Sequence, residues 1–156
     1  MRSSRKFLPY VRHSIDEDDI DAVVNVLRGD WLTTGPAVTS FEAALGLRVD
    51  ARYTAAVSSG TAGLHIAAMA IGLSEGDCAI VPCITFVATA NAVRYCGANV
   101  IFADVNPETG LMGPEQFREA ITRARKTGAR LKAVFTVHLA GQCSNPEKIH
   151  GIADEH

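Results

Sequence analysis

From residue 51 onward, short apolar runs alternate with stretches of helical character, and this alternation constrains the fold more than any other feature of the sequence. The apolar runs are residues 53–57, 78–81, 99–102 and 131–137. The helical stretches are residues 61–71, 88–95, 114–125 and 145–155. Strands that alternate with helices form βαβ units, and short apolar strands are typical of a parallel sheet covered on both faces. We therefore predict an α/β fold of three layers (α/β/α) with a mostly parallel sheet.

The first fifty residues carry helix signals instead. Ser14 and Glu17 have the spacing of a capping box, which predicts that a helix begins there. One face of this helix is expected to hold Ile20, Val23, Val24 and Leu27. Gly29 is expected to end the helix, and a loop at residues 31–36 follows. A short second helix is predicted to contain Phe41, Ala44 and Leu45.

Size and charge restrict the class of protein. The chain has 156 residues, enough for one domain with a hydrophobic core, and 47% of them are hydrophobic. Its formal net charge of −2 argues against partners such as nucleic acid or an anionic membrane, since both favour a basic surface. No apolar stretch has the length of a signal peptide or approaches the roughly 20 residues of a membrane span. We therefore expect a cytoplasmic protein.

The four cysteines do not suggest a metal site. They are Cys78, Cys83, Cys96 and Cys143. None of them forms a C-x-x-C pair, and a zinc site requires closer pairing or flanking histidines. Buried free thiols are the favoured interpretation, and they suit a reducing compartment.

One loop has the character of an anion-binding site. Ligands of parallel sheets lie at the carboxyl ends of the strands, and Ser58–Gly63 follows the first predicted strand and precedes a helix. The free N–H groups at the start of a helix can bind a phosphate, Gly60 allows close approach, and Ser59 and Thr61 add hydroxyl groups. A capped turn with no ligand explains the same residues, because Ser and Thr are common helix caps. The loop matches neither the Walker motif nor G-x-G-x-x-G.

A set of short motifs, in order along nearly the whole chain, resembles a known family. The motifs are Pro9-Tyr10, Asp30-Trp31-Leu32-Thr33-Thr34-Gly35-Pro36, Val57-Ser58-Ser59-Gly60-Thr61-Ala62, Pro82-Cys83-Ile84-Thr85-Phe86-Val87-Ala88-Thr89-Ala90-Asn91, Phe102-Ala103-Asp104-Val105 and Val137-His138-Leu139-Ala140-Gly141-Gln142. Together they resemble the sugar-nucleotide aminotransferases of the DegT/DnrJ/EryC1/StrS family, which use pyridoxal 5′-phosphate (PLP) and have the aspartate-aminotransferase fold. Within the family, the chain looks most like the enzymes that aminate C4 of a UDP-linked 4-keto-6-deoxy-hexosamine on the way to pseudaminic acid.

The resemblance implies roles for individual residues. Ser59, Gly60 and Thr61 would hold the PLP phosphate, and Phe86 would lie against the pyridine ring, although without the resemblance a core position is the favoured interpretation of Phe86. His138 would lie near the cofactor or the substrate, or serve a structural role. Residues at substrate-contacting positions are Tyr10, Leu32, Thr33 and Trp31. Trp31 would stack on a base or sugar, or anchor packing.

The resemblance also implies the extent and the partners of the protein. Residues 1–50 would form an N-terminal helical and substrate-loop segment, and residues 51–156 the first part of the large PLP-binding domain of a fold-type I enzyme. The family's ring-binding aspartate and Schiff-base lysine would follow His156, so we expect this segment to be inactive alone. The expected partners are a nucleotide sugar, an amino-acid donor (typically glutamate, with pyridoxamine phosphate as intermediate) and a second copy in a homodimer.

Two other functions remain open at this stage. Some family members carry histidine in place of the catalytic lysine and act as sugar dehydratases with pyridoxamine phosphate. A truncated binding module without catalysis is the third alternative.

Three further groups of residues have simpler explanations. Residues 104–110 faintly resemble a calcium loop, but Asn106-Pro107 predicts a turn. His65 is expected to be packed. The basic residues that we expect at a solvated surface are Arg123, Arg125, Lys126 and Arg130.

Overall fold

The computed structural model describes Phe7, Pro9 and residues 12–156, and it divides the chain into two compact units, Met1–Ala56 and Val57–His156. The first unit contains helices α1 (Glu17–Arg28) and α2 (Pro36–Val49). The second unit contains three strands and four helices within the described part of the chain. In this same part, no helix combines the length and the hydrophobicity needed to cross a membrane.

Helix α1 begins two residues later than the sequence predicted. The Asp16 carboxylate accepts a hydrogen bond from the Asp19 N–H (3.1 Å), and the Asp19 carboxylate accepts one from the Asp16 N–H (3.2 Å). The capping box therefore uses Asp16 and Asp19, and the prediction of Ser14 and Glu17 is wrong. Aspartate ranks with serine as an N-cap, and this register places acidic residues throughout the positive first turn. The helix ends at Gly29 as predicted.

Helix α2 is longer than predicted and begins at the end of the predicted loop. Pro36 occupies the first turn, where its missing N–H costs nothing, and Asp50 ends the helix in the left-handed conformation (φ 53°). The helix has 14 residues, so the prediction of a short helix is wrong in length.

Residues 53–57 form no strand, which contradicts the sequence prediction. The segment is held instead by Glu42 of α2: its carboxylate accepts from the Ala56 N–H (2.7 Å), and its carbonyl accepts from the Thr54 hydroxyl. A strand requires a neighbouring strand for its ladder, and no strand in the described part of the chain pairs with these residues. An apolar run thus predicts extended character but not the pairing partner.

The second unit is built on a parallel sheet with strand order β2-β1-β3. Its strands are β1 (Asp77–Pro82), β2 (Asn99–Ala103) and β3 (Arg130–Val134). In register, Ile80 of β1 faces Ile101 of β2 and Val134 of β3. Its helices are α3 (Gly60–Ala70), α4 (Val87–Tyr95), α5 (Pro114–Lys126) and α6 (Pro146–Asp154), and a short 3₁₀ turn spans Leu139–Gly141.

Strand β3 ends earlier than predicted. The sequence predicted a strand to residue 137, but β3 ends at Val134. The Phe135 N–H still donates to the Ile80 carbonyl (2.8 Å). Continued in the same register, residue 136 would lie opposite Pro82, which has no N–H to donate to the ladder.

Helices cover both faces of the sheet, which confirms the predicted three-layer α/β/α arrangement. Strand β1 is buried along its whole length. On one face, Ile80 packs in a cluster with Met112 and with side chains of α5 and α6: Phe117, Ala120, Ile121, Ile149 and Ile152. On the other face, Ala79 and Val81 pack with Ala68 of α3 and Val93 of α4. Because side chains alternate along a strand, one strand supplies both cores.

A buried carboxylate fixes the start of the sheet. Asp77 is 1% exposed and accepts hydrogen bonds from Arg130 Nε (2.7 Å) and the Ser74 N–H (3.0 Å), and Lys132 Nζ lies 3.7 Å away. The Arg130 guanidinium lowers the pKa of Asp77 to about 2, although burial acts in the opposite direction. Asp77 therefore ties β1 to β3 and to the turn after α3.

The structure confirms three smaller predictions: the turn at residues 104–110, the packed His65 and the exposed basic residues. Residues 104–110 form a turn in which the Asn106 side chain accepts from the N–H groups of Glu108 (2.8 Å) and Thr109 (3.2 Å). His65 packs edge-on against Tyr95, with 5.3 Å between ring centroids. The four basic residues are exposed as predicted, and two of them also make hydrogen bonds: Arg130 binds Asp77, and Arg123 donates to the Phe102 carbonyl (2.6 Å).

The prediction of buried free thiols is confirmed for Cys78 and is wrong for Cys83 and Cys143. All four cysteines are free, and Cys78 is buried, which raises the pKa of its thiol. Cys83 and Cys143 are exposed because they lie in the loops after β1 and after the 3₁₀ turn. Across the described residues, no cluster of three or more potential metal ligands occurs.

Candidate functional site

The start of helix α3 presents free backbone donors. Ser59 is the N-cap: its hydroxyl oxygen accepts from the Ala62 N–H (3.1 Å), and its carbonyl accepts from the Gly63 N–H (3.0 Å). The N–H groups of Gly60 and Thr61 precede the first intrahelical bond, so the helix itself offers them no acceptor. The first turn of α3 contains no acidic residue, whereas that of α1 contains three. An external anion would therefore meet a partial positive charge with no competing carboxylate.

Gly60 leaves open space above this helix start. A Cβ atom built on Gly60 would meet no heavy atom within 4 Å, and its backbone does not have a positive φ. Neither the backbone conformation nor the packing of the described chain thus requires glycine here. Glycine at a helical position also costs conformational entropy. The unused space is what a ligand that contacts the backbone would need.

The open helix start and an exposed aromatic ring line the same depression. Its volume is about 540 Å³. The lining residues are Gly60, Thr61, Gly63, Leu64, Ala67, Phe86 and Ala88. Phe86 is 73% exposed, so the interpretation of Phe86 as a core residue is wrong. The depression offers a flat apolar face beside backbone donors for an anion.

The loop that carries Phe86 is held by its own hydrogen bonds. Phe86 is the N-cap of α4, and its carbonyl accepts from the Thr89 N–H (3.0 Å). The hydroxyls of Thr85 and Thr89 lie 2.8 Å apart, and Thr89 is buried. The position of the Phe86 backbone is therefore determined before any ligand binds.

His138 lies apart from this lining. It precedes the 3₁₀ turn, and its side chain is exposed. Its Nδ1 accepts a hydrogen bond from the Ser144 N–H (3.1 Å), and the Ser144 hydroxyl lies 3.2 Å from the same atom. His138 is not among the residues that line the depression.

The residues with a proposed substrate role belong to the first unit. Trp31, Leu32 and Thr33 lie between α1 and α2 and are exposed, and Trp31 and Leu32 are 64% and 65% exposed. Trp31 also lines a depression of about 380 Å³ between the end of α1 and the start of α2. Tyr10 lies outside the described residues.

Sequence reasoning missed part of the site. Gly63, Leu64 and Ala67 share with Gly60 one helical face, and their spacing of three, four and seven residues was a readable signal. The Thr85–Thr89 pair likewise has the spacing of neighbours in a helical turn. The contact between Ser144 and His138 had no such signal, because the chain reverses direction between them.

Solved structures with the same fold come from enzymes that are longer than this chain. A DegT/DnrJ/EryC1/StrS aminotransferase from Brucella abortus is 33% identical, with a TM-score of 0.81, over 87% of this chain and 37% of its own. NtdA from Bacillus subtilis, solved with bound pyridoxamine phosphate, is 36% identical, with a TM-score of 0.79, over 90% of this chain and 32% of its own. A Streptococcus pneumoniae protein assigned as a sugar aminotransferase, in its PLP form, is 28% identical, with a TM-score of 0.81, over 93% and 36%.

These similarities define the class: the three-stranded sheet and its helices are part of a fold-type I aminotransferase. The chain spans about a third of the length of these relatives. The family model of the DegT/DnrJ/EryC1/StrS aminotransferases matches residues 13–156. This chain belongs to that family, and it is homologous to PLP-dependent sugar aminotransferases.

Proposed function

We propose that the protein is a PLP-dependent sugar-nucleotide aminotransferase and that the depression at the start of α3 holds its cofactor. The observation that carries the proposal is the arrangement of Gly60, Thr61 and Phe86 around one space. A free helix start suits a phosphate, and an exposed ring suits a flat pyridine. The volume of about 540 Å³ lies within the range of small-molecule sites.

The residues present fit the cofactor. The N–H groups of Gly60 and Thr61 would donate to the phosphate, with the Thr61 hydroxyl beside them. The Ser59 hydroxyl accepts from the Ala62 N–H and keeps its own proton free to donate. Phe86 would fix the tilt of the ring and exclude water from one face. When bound, the cofactor supplies an electron sink that stabilises negative charge on the carbon that carries the amino group.

The remaining proposed contacts concern the substrate. His138 would donate a hydrogen bond to the cofactor or the substrate, and Tyr10, Trp31, Leu32 and Thr33 would contact the nucleotide sugar. The proposed acceptor is a 4-keto-6-deoxy sugar nucleotide, within the group of UDP-linked hexosamines aminated for pseudaminic acid or related surface glycans. The proposed donor is glutamate. We propose a cytoplasmic homodimer, with residues 1–50 as the substrate-loop segment and residues 51–156 as the start of the cofactor domain.

The lysines of this sequence are not proposed to carry the cofactor. Lys132 is occupied in the structure: its Nζ donates to the Gly72 carbonyl (2.6 Å) and lies 3.7 Å from Asp77. Lys126 ends α5 and Lys148 lies in α6, and neither lines the depression at α3. We therefore propose that this 156-residue segment alone does not transfer amino groups.

Amino transfer by the full-length native protein tests the function. Purified protein loaded with PLP is incubated with glutamate and a UDP-linked 4-keto-6-deoxy-hexosamine, and the products are measured by mass spectrometry. We expect an aminated sugar and 2-oxoglutarate in equal amounts. Loss of water from the sugar without gain of nitrogen would identify a dehydratase instead. No turnover of any keto sugar by a protein that binds PLP would refute the proposal.

A further inference from the structure

The backbone reversal after β3 places Ser144 against the ring of His138. Ala140 (φ 54°) and Gly141 (φ 79°) adopt the left-handed conformation, and the N–H groups of Gly141 and Gln142 return to the carbonyls of His138 and Leu139 (3.0 Å each). This tight turn returns the chain to His138 at Ser144, six residues later. Ser144 is 2% exposed, although its hydroxyl is polar, so its burial requires a partner.

That partner is Nδ1 of His138, and the contact determines the tautomer of the ring. The Ser144 N–H lies 3.1 Å from Nδ1, and a backbone N–H can only donate. Nδ1 therefore carries its lone pair, and the neutral ring carries its proton on Nε2. The Ser144 hydroxyl, 3.2 Å from the same nitrogen, must then donate as well. Two donors from one residue hold the imidazole in one tautomer.

We propose that Ser144 is a positioning residue that holds His138 as an Nε2–H donor for an oxygen atom of the bound substrate. The ligand role of His138 rests on the proposed function, whereas the tautomer rests on the contacts of the described chain. Both contacts with Ser144 use Nδ1, Nε2 has no hydrogen-bond partner among the described residues, and His138 is exposed, so Nε2 can donate outward. The ligand chemistry is an acceptor oxygen, such as that of a hydroxyl, a carbonyl or a phosphate.

Nitrogen-15 NMR of the histidine rings tests the tautomer without any ligand. The full-length native protein is labelled at histidine and studied in alkaline solution, with His138→Asn identifying its signal. We expect Nδ1 to give the signal of an unprotonated nitrogen and Nε2 that of a protonated one. Ser144→Ala keeps the backbone N–H and loses the hydroxyl donor. The population of the tautomer protonated on Nδ1 should therefore rise roughly two- to tenfold. A protonated Nδ1 in the native protein would overturn the proposal.

Two substitutions of His138 separate positioning from a merely structural role. The Asn side chain can accept near the position of Nδ1 but has no donor near Nε2, whereas the Gln amide reaches the Nε2 position. Of the two variants, we expect His138→Asn to have the higher melting temperature. We expect His138→Gln to have the lower KM for the substrate. If His138→Asn were better in both measurements, the donor role would be refuted. A protein with the expected tautomer and no aminotransferase activity would refute the proposed function but support the positioning by Ser144.

Discussion

The exposure of the Phe86 side chain is not explained by the residues around it. Its ring is 73% exposed, and the hydrogen bonds of the Thr85–Thr89 pair hold its loop in place. Exposure of a large aromatic side chain at a depression favours a binding role over a packing role. At the scale of the residue, the ring is available for a flat ligand.

Replacement of Phe86 should affect the cofactor and not the fold. We expect Phe86→Ala to leave the melting temperature nearly unchanged and to weaken PLP binding about tenfold, because a stacked aromatic pair contributes roughly 0.5–1.5 kcal/mol beyond buried area. Titration with PLP, followed by absorbance, measures the affinity. Phe86→Trp is the matched control that keeps an aromatic face. Equal PLP affinity in Phe86→Ala and the native protein would contradict the stacking role.

Single residues were predictable from the sequence where the signal was local. Ser59 caps α3 and Gly29 ends α1, as their residue types indicated. The exposure of Phe86 was not predictable from composition, because an aromatic residue beside an apolar helix is more commonly buried. The Ser144–His138 contact depends on two left-handed residues, which only the three-dimensional path reveals.

At the scale of the elements, Asp77 joins three segments through one carboxylate. It binds the turn before β1 through Ser74 and the start of β3 through Arg130. Its pKa, about 2, lies below the ordinary value of 3.8. A group with a lowered folded pKa adds stability above its unfolded pKa, and this stability is lost as the pH falls through the folded pKa.

Acid unfolding should therefore depend on Asp77. We expect the stability contributed by Asp77 to be complete above about pH 5 and to decline between about pH 4 and pH 2. Asp77→Asn should lower the urea midpoint at pH 7 and flatten the decline in acid. Urea denaturation at pH 7, 4 and 2.5 measures both effects. A variant that loses stability with acid as steeply as the native protein would show that Asp77 does not control this range.

Two glycines in the left-handed conformation distinguish the stability cost of backbone strain from the stability cost of a steric contact. Gly110 (φ 70°) and Gly128 (φ 72°) have nearly the same φ, but a Cβ at Gly110 would lie 3.2 Å from Leu139 Cδ2, whereas one at Gly128 would meet nothing within 4 Å. We expect Gly128→Ala to cost about 1–2 kcal/mol from strain alone, and Gly110→Ala to cost more. Thermal denaturation of both variants measures the difference. Equal losses would mean that Leu139 moves away freely.

The order of the elements was predictable, and their pairing was not. The apolar runs and helix signals predicted four strands and six helices, and within the described residues three of these strands and all six α-helices occur in the predicted order. Residues 53–57 had the same composition as a strand, yet they bind Glu42 and have no strand partner in the described chain. Local patterns determine what a segment prefers, whereas pairing depends on residues distant in the sequence.

At the scale of the whole molecule, the sheet and its helices form a scaffold shared with longer relatives, and we propose that the start of α3 holds the cofactor. The chain covers 37% of the Brucella abortus enzyme and 32% of NtdA. Several apolar side chains of α1 and α2 are exposed, among them Val23, Leu27 and Phe41. We propose that a second copy of the chain in a homodimer covers some of these side chains.

The central claim is that the open backbone at Gly60 receives the phosphate of PLP, and one pair of variants tests it most directly. PLP affinity is measured by absorbance titration of the full-length native protein, Gly60→Ala and the control Gly151→Ala. Neither added methyl group meets an atom of the described chain within 4 Å, so both variants should fold with equal or slightly higher stability. The account predicts that Gly60→Ala binds PLP at least about tenfold more weakly, because its Cβ blocks close approach of the phosphate, whereas Gly151→Ala binds normally. Unchanged PLP affinity in Gly60→Ala would contradict the account.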